Sequence, residues 1–213
     1  MGNPFAYNSP LMNTMRKVLD FALLNFLTAL CSLPIITAGA AIAAAHYVCV
    51  EMRAGECSVA TTYITAFKDN LKNGILLWLL ILGCLVFGYV DYRLATALQP
   101  VMQGIVQVLL IIEGVVLLLA YSWIFPLQAR YENKVFHTVK NALILSVAYL
   151  PTTILMAIMC TLPVIMLLLS EYTLPLVLLF GFSMPIYWNT GLYLKILKGI
   201  DKQKNQEPEN DCE

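Results

Sequence analysis

The chain has 213 residues, of which 60% are hydrophobic and only 12% are charged. A soluble globular domain carries about 25% charged residues and about 45–50% apolar residues. The composition therefore excludes an ordinary soluble domain and predicts a single membrane domain with short loops. The 13 basic and 13 acidic residues give a formal net charge of zero. Because no basic stripe interleaves with aromatic residues, we expect no nucleic acid among the partners.

The first apolar run, from 18 to 50, is too long for one span. As a single helix it would measure about 50 Å, whereas the hydrocarbon core of a bilayer is about 30 Å thick. Pro34 and Gly39 are breaking residues inside the run. We therefore predict two short helices, 18–33 and 38–50, joined by a tight turn as a hairpin. Since each helix is short for a full span, a re-entrant hairpin is one alternative, and a single kinked span is another.

The segment between 51 and 73 is polar but patterned. Apolar side chains recur every four residues on one face, at Val59, Tyr63, Phe67 and Leu71. Charged side chains, among them Lys68 and Lys72, take the other face. This pattern predicts an amphipathic helix that lies in the membrane interface or packs on the cytoplasmic ends of the spans.

Four further apolar runs predict membrane spans, at 74–90, 104–125, 142–169 and 174–194. Prolines inside the last two are tolerated in membrane helices, where neighbours satisfy the freed backbone groups. A loop at 91–103 and a polar connector at 126–141 separate these runs. The fold class is therefore all-α, a polytopic transmembrane helix bundle of five to six membrane segments plus one amphipathic interfacial helix.

The ends of the chain are polar. We predict a polar N-terminal arm at 1–17, a transmembrane helical domain at 18–198 and a charged tail at 199–213. The tail has little apolar surface to bury, so we expect disorder beyond about Lys202.

The basic residues predict the orientation, because cytoplasmic loops are enriched in lysine and arginine. If 18–50 forms a hairpin, 12 of the 13 basic residues share one side and only Arg93 lies opposite. If 18–50 crosses once, the split is 10 to 3. Both arrangements place the C-terminus in the cytoplasm. The hairpin, which we favour, places the N-terminus there as well.

Three tryptophans fall near the predicted cytoplasmic ends of their spans, where amphipathic rings sit at the level of the lipid headgroups. Together with the amphipathic segment they form the candidate membrane-interface residues. These residues are Phe67, Lys68, Leu71, Lys72, Trp78, Trp123 and Trp188.

Glu113 lies near the centre of the predicted span 104–125. A charged residue at the bilayer centre costs roughly 2.5–3.5 kcal/mol on insertion scales, so such residues are candidates for proton, cation or ligand sites. The alternative is a structural glutamate that is protonated or hydrogen-bonded between helices. Asn25 and Asn141, in or beside spans, complete the candidate polar site, although interhelical hydrogen bonding is their default role.

The sequence offers no catalytic or cofactor motif. The six cysteines include no C-x-x-C pair and the two histidines lie far apart, so we predict no disulfide framework, no metal and no cofactor. Nucleophile, phosphate-loop and dinucleotide motifs are also missing, and we predict no enzyme. The small residues between 39 and 45 predict close helix packing.

Two groups of short blocks carry a resemblance to a known family. The first group is the run 25–40 with its Ser-Leu-Pro-Ile-Ile-Thr-Ala-Gly-Ala stretch, then Gly55-Glu56, then Ala-Phe-Lys-Asp-Asn-Leu-Lys at 66–72. The second is Pro-Leu-Gln-Ala-Arg-Tyr at 126–131, then the blocks at 139–143 and 149–151. Over roughly residues 15 to 200 the chain resembles the YesL-like family of Gram-positive bacterial membrane proteins, a family of unknown function. One departure is Tyr63-Ile64, where the family often has two aromatic residues.

The resemblance implies a small multi-span protein of the bacterial plasma membrane. Members are often linked with carbohydrate uptake, so it also implies an accessory or assembly role beside a sugar ABC transporter permease. It transfers no catalytic or binding residues. The alternative function is a small transporter or channel that uses Glu113. The lipid bilayer is the expected partner in either case, and a homo-oligomer is a further possibility.

Overall fold

The fold is all-helical in this computed structural model, which describes residues 10–55, 58–131 and 134–204. The described ranges contain eight α-helices and two short 3-10 turns, joined by short non-helical segments. The helices are α1 Pro10–Ser32, α2 Ala38–Ala54, α3 Val59–Ala95, α4 Pro100–Arg130, α5 Val135–Ala148, α6 Leu150–Leu169, α7 Leu174–Phe180 and α8 Ser183–Lys204. The 3-10 turns are Ile35–Thr37 and Glu171–Thr173. An all-α helical bundle, predicted from composition and periodicity, is confirmed.

Helix α2 is the central helix of the bundle. It contacts α1, α3, α4 and α8, and its residues from Ala38 to Cys49 are almost all buried. The turn before it closes because the Thr37 hydroxyl hydrogen-bonds the Cys31 carbonyl oxygen at 2.7 Å. The two predicted helices and the tight turn between them are therefore present, with α1 beginning at Pro10, inside the predicted arm.

Small residues allow α2 and α3 to cross at very short range. A Cβ atom added to Gly39 would overlap the Gly74 carbonyl oxygen and lie 2.6 Å from the Trp78 Cβ. A Cβ atom added to Gly74 would lie 2.7 Å from the Ala40 Cα. The close packing predicted from the small residues of 39–45 is thus confirmed, because only glycine, which has no Cβ atom, fits at Gly39 and Gly74 where the two backbones meet.

The prediction of a separate amphipathic helix followed by a span is wrong, because α3 is continuous. Residues 51–54 of the amphipathic segment belong to α2, and residues 59–73 form the first part of one continuous helix, Val59–Ala95. Its 37 residues would extend about 55 Å, which exceeds the hydrocarbon thickness of about 30 Å. The predicted loop at 91–103 is also shorter, since α4 already begins at Pro100.

The predicted connector 126–141 is mostly helical. Helix α4 runs through Pro126 to Arg130, and α5 begins at Val135. The predicted span 142–169 is instead divided at Tyr149. Proline lacks an N–H group and its ring crowds the carbonyl one turn earlier, so Pro151 accounts for a helix that ends here and restarts.

The last predicted span is also divided. Helix α7 ends at Phe180 and α8 begins at Ser183. Helix α8 then continues through the polar residues to Lys204, two residues past the point where we predicted disorder. Residues 205–213 lie outside the described residues.

Four helical stretches of the described chain are long and apolar enough to cross a membrane, by length and composition. They are Ile35–Ala54, Val59–Ala95, Pro100–Arg130 and Leu150–Leu169. Most of the buried core lies toward the polar end of α3 and the C-terminal end of α4, around Leu77, Trp123 and Phe125. The opposite halves of α3 and α4 expose aliphatic side chains along their length, which suits a surface solvated by lipid tails.

Candidate functional site

A polar pocket opens between α2, α3 and the end of α4. Its volume is about 660 Å³, within the usual range of ligand pockets, about 300–1,000 Å³. The lining is rich in amides, hydroxyls and charged groups. The lining residues are Tyr47, Thr65, Ala66, Asp69, Asn70, Asn73, Gln128, Ala129, Arg130, Tyr131 and Lys134. The blocks 66–72 and 126–131, which are distant in sequence, thus meet at this pocket.

Two buried carboxamides join the helices beside the pocket. The Gln128 Nε2 group donates to Asn70 Oδ1 at 3.1 Å, and Asn70 Nδ2 donates to the Ala66 carbonyl oxygen at 2.9 Å. Gln128 is 6% exposed and Asn70 is 8% exposed. The Gln128 Oε1 atom has no hydrogen-bond partner among the described residues. A buried carbonyl oxygen without a donor carries a desolvation penalty, which a donor supplied by a ligand would remove.

Charged side chains frame the same region. The Arg130 guanidinium donates to Asp201 Oδ2 at 2.7 Å, and the Tyr131 hydroxyl donates to Asp201 Oδ1 at 2.8 Å. These bonds tie the end of α4 to α8. Burial, together with the hydrogen bond to Asp201, raises the pKa of Tyr131 above its usual value. The phenol therefore stays protonated at neutral pH and keeps donating to the carboxylate.

Asn141 lies beside this pocket rather than in it. It is exposed and lines a second cavity of about 390 Å³ with Leu197, Asp201 and Tyr131. Tyr131 belongs to both cavities. Asn141 is therefore near the basic end of the bundle, away from the buried amides of α3 and α4.

Asn25 holds the break between α7 and α8. Its Oδ1 atom accepts the backbone N–H of Phe182 at 2.7 Å and of Ser183 at 3.1 Å. Its Nδ2 group donates to the Val177 carbonyl oxygen at 3.3 Å. The first N–H groups of a helix have no partner inside it, and here a fully buried asparagine of α1 supplies one. Interhelical hydrogen bonding, the default role predicted for Asn25, is what the geometry provides.

Glu113 lies in the groove between α3 and α4, near the middle of α4. Its carboxylate packs against Gly88, since a Cβ atom there would lie 3.3 Å from Glu113 Oε2. A cavity of about 330 Å³ is lined by both Glu113 and Asp91. The three predicted polar residues, Asn25, Glu113 and Asn141, thus line or hold three different parts of the molecule and form no common site.

The predicted interface residues divide into two groups. Lys68 and Lys72 are exposed, and Phe67 and Leu71 are half-buried. Phe67 stacks on Tyr63 with ring centroids 6.2 Å apart. Val59 and Tyr63 are buried in the cluster that also contains residues of α1 and α2. These contacts favour the packing alternative for the amphipathic segment.

The three tryptophans occupy different environments. Trp188 is 62% exposed, whereas Trp123 is fully buried and donates from Nε1 to Thr153 Oγ1 at 2.8 Å. Trp78 is half-buried and tilts against Phe125 with ring centroids 6.4 Å apart. Trp123 therefore differs from the prediction that places it at the level of the lipid headgroups. Its indole N–H finds a partner inside the bundle, at the break between α5 and α6, and does not face lipid headgroups.

The polar pocket was missed by sequence reasoning. Asn70 and Gln128 stand next to apolar runs, so each looks like an ordinary flanking residue. The usable signal was that both lie in blocks that carry the family resemblance. In the described residues, no group of three or more His, Cys, Asp or Glu side chains could hold a metal ion.

Comparison with known proteins finds a family match over about a third of the chain. No curated protein and no solved structure matches it. The segment that matches a family model, residues 21–92, includes most of α1, all of α2 and the greater part of α3. It therefore contains the close crossing of Gly39 and Gly74 and the α3 side of the polar pocket. Residues 21–92 match the family model described as "Protein of unknown function, DUF624".

Proposed function

We propose that this chain is an integral membrane protein without catalytic activity that serves as an accessory or assembly partner of a carbohydrate transporter of the ABC type. The polar pocket is the observation that carries the proposal. Its buried groups are carboxamides, which bind by hydrogen bonds and neither attack as nucleophiles nor transfer protons at neutral pH. A pocket of this chemistry suits recognition better than turnover.

The position of the pocket supports a role at the cytoplasmic face. Arg130 and Lys134 line it, and Lys68 and Lys72 lie on the same stretch of α3. Since lysine and arginine accumulate in cytoplasmic loops, this end of the bundle is the end at which cytoplasmic components of a transporter meet the membrane. The carbohydrate part of the proposal comes from the resemblance to the YesL-like family of the bacterial plasma membrane.

The test combines uptake with co-purification. Cells that lack the chain are complemented with the wild-type protein, with Gln128→Leu or with Gln107→Leu, and uptake of a panel of labelled sugars is measured. Gln107→Leu is the matched control, because Gln107 is an exposed residue of the same helix. Permease subunits that co-purify with each tagged variant are quantified in parallel.

We expect loss of the chain to lower uptake of at least one sugar and to reduce the amount of its permease in the membrane. Gln128→Leu is expected to behave like the deletion, and Gln107→Leu like the wild type. Unchanged uptake of every sugar in the deletion strain, with no permease enriched over an unrelated tagged membrane protein, would exclude the accessory role.

A second candidate function is a small transporter or channel. It is favoured by the half-buried Glu113 carboxylate, which shares a cavity with Asp91 between α3 and α4. Ionisable residues inside a membrane are expensive and often line ion pathways. Proton or cation flux into proteoliposomes, abolished by Glu113→Gln and retained in Glu51→Gln, would support it. Liposomes no leakier than protein-free ones would exclude it.

A further inference from the structure

The polar pocket lies at the depth of lipid headgroups if the apolar helices cross the membrane. Its α3 lining ends at Asn73, immediately before the apolar part of that helix, and its α4 lining begins at Gln128, after the apolar part of α4. A pocket at this boundary can admit a polar group from the bilayer surface while the apolar remainder of the same molecule stays in the hydrocarbon. Binding of a lipid headgroup at this boundary does not require the accessory role.

The groups that line the pocket are complementary to a ligand that carries both hydrogen-bond donors and a negative charge. Gln128 Oε1 is a buried acceptor without a partner among the described residues, and the exposed Asp69 adds a carboxylate. Lys134 is exposed on the same pocket and offers an ammonium. A ligand that fits therefore carries N–H donors and a negative charge close together.

We propose that the pocket binds the headgroup of a phospholipid that carries a primary ammonium and a phosphate. The ammonium N–H groups donate to Gln128 Oε1 and to the Asp69 carboxylate, and the phosphate accepts from Lys134. A choline headgroup has the same charges but no N–H donor, so it leaves the Gln128 acceptor unsatisfied. The pocket thus distinguishes a primary ammonium from a quaternary one by hydrogen bonding and not by charge.

The experiment measures lipid retention by native mass spectrometry after extraction from nanodiscs that contain equal amounts of phosphatidylethanolamine and phosphatidylcholine. The variants are Asp69→Asn and Lys134→Gln. The matched controls are Asp91→Asn, on the far part of α3, and Lys68→Gln, a lysine that does not line the pocket. The thermal unfolding midpoint of each variant establishes that the bundle is intact.

We expect the wild type and both controls to retain phosphatidylethanolamine in preference to phosphatidylcholine. Each pocket variant should lower that retention about tenfold, which corresponds to about 1.4 kcal/mol, while its unfolding midpoint in phosphatidylcholine alone stays close to that of the wild type. Equal retention of the two lipids by the wild type, or identical retention by pocket and control variants, would overturn the proposal.

A second measurement distinguishes a membrane lipid from a soluble compound that has the same headgroup. Soluble phosphoethanolamine is added to protein in phosphatidylcholine nanodiscs, and its binding is measured by calorimetry. Binding of the soluble compound without retention of the lipid would overturn the membrane source. A polypeptide that co-purifies through Asp69 and Lys134, with no lipid preference, would replace the lipid by a protein partner and overturn the proposal as well.

Discussion

The side-chain amide Nε2 of Gln128 donates a 3.1 Å hydrogen bond to the side-chain oxygen Oδ1 of Asn70 and so joins α4 to α3. The two residues are 58 positions apart, and both are buried. The bond fixes the wall of the polar pocket, because Asn70 is itself anchored to the Ala66 carbonyl oxygen. One interhelical contact between two uncharged groups therefore contributes to the geometry of the candidate site, beside the packing of α2, α3 and α4.

A double-mutant cycle measures the strength of this contact. We expect Asn70→Ala and Gln128→Ala to be non-additive in the free energy of unfolding, with a coupling of about 0.6 kcal/mol, the average for interhelical hydrogen bonds in a membrane protein. Unfolding in mixed micelles with a graded denaturing detergent supplies the four free energies. Strictly additive single-variant effects would show that the two amides do not interact.

The crossing of α2 and α3 predicts a steric effect. Gly39→Val should destabilise the fold by about 1–3 kcal/mol or more, as expected for overpacking, because a side chain at this position overlaps the Gly74 backbone. Gly83→Ala on α3 is the control, since no heavy atom lies within 4 Å of the added Cβ. Equal unfolding midpoints for the two variants would contradict the close approach.

The break between α7 and α8 gives a third prediction. Asn25→Ala leaves the N–H groups of Phe182 and Ser183 without their acceptor, and we expect a loss of about 1–3 kcal/mol in the free energy of unfolding. Asn25→Asp keeps an acceptor but removes the Nδ2 donor to Val177 and buries a carboxyl group, so it should not restore the lost stability. The exposed Asn141 is the control, and Asn141→Ala should change stability by no more than about 0.5 kcal/mol.

Tyr131 gives a pH-dependent prediction. Its pKa is raised in the folded protein, so the folded state holds the phenolic proton more tightly than the unfolded state does. The stabilisation is complete below the unfolded pKa, near 10, and is lost as the pH rises through the higher folded pKa. The difference in unfolding midpoint between wild type and Tyr131→Phe should therefore be constant from pH 6 to about pH 9, which is about one unit below the unfolded pKa. At higher pH the difference should shrink. A difference that grows with pH would have the wrong sign.

The sequence was informative about helices and less so about where they break. Apolar runs and the small residues of 39–45 predicted the bundle and the close crossing, because both features depend on composition within one segment. The continuity of α3 was missed, since polar and apolar stretches of one helix look like two elements. The ends of α5 and α7 were missed because a proline in a membrane helix can be accommodated or can end it, depending on neighbours.

The candidate site was not predicted from the sequence, because its geometry is set by tertiary contacts. Glu113 is a lone acidic residue in an apolar run and is therefore conspicuous in the sequence, whereas Asn70 and Gln128 are ordinary residues at the ends of apolar runs. Their pairing across 58 residues is set by the crossing of α3 and α4 and has no local signature. The role of Asn25 could be foreseen as a type of interaction, but its partners could not, because they exist only where α7 and α8 separate.

Cysteine accessibility in intact cells tests the central claim most directly, that the polar pocket faces the cytoplasm. Single cysteines at Lys134 and Lys198, and at Thr96 in the turn between α3 and α4, are introduced into a variant whose native cysteines are replaced. A membrane-impermeant thiol reagent should label position 96 in intact cells, and positions 134 and 198 only after permeabilisation. Labelling of position 134 in intact cells, or opposite accessibility of 134 and 198, would contradict the account.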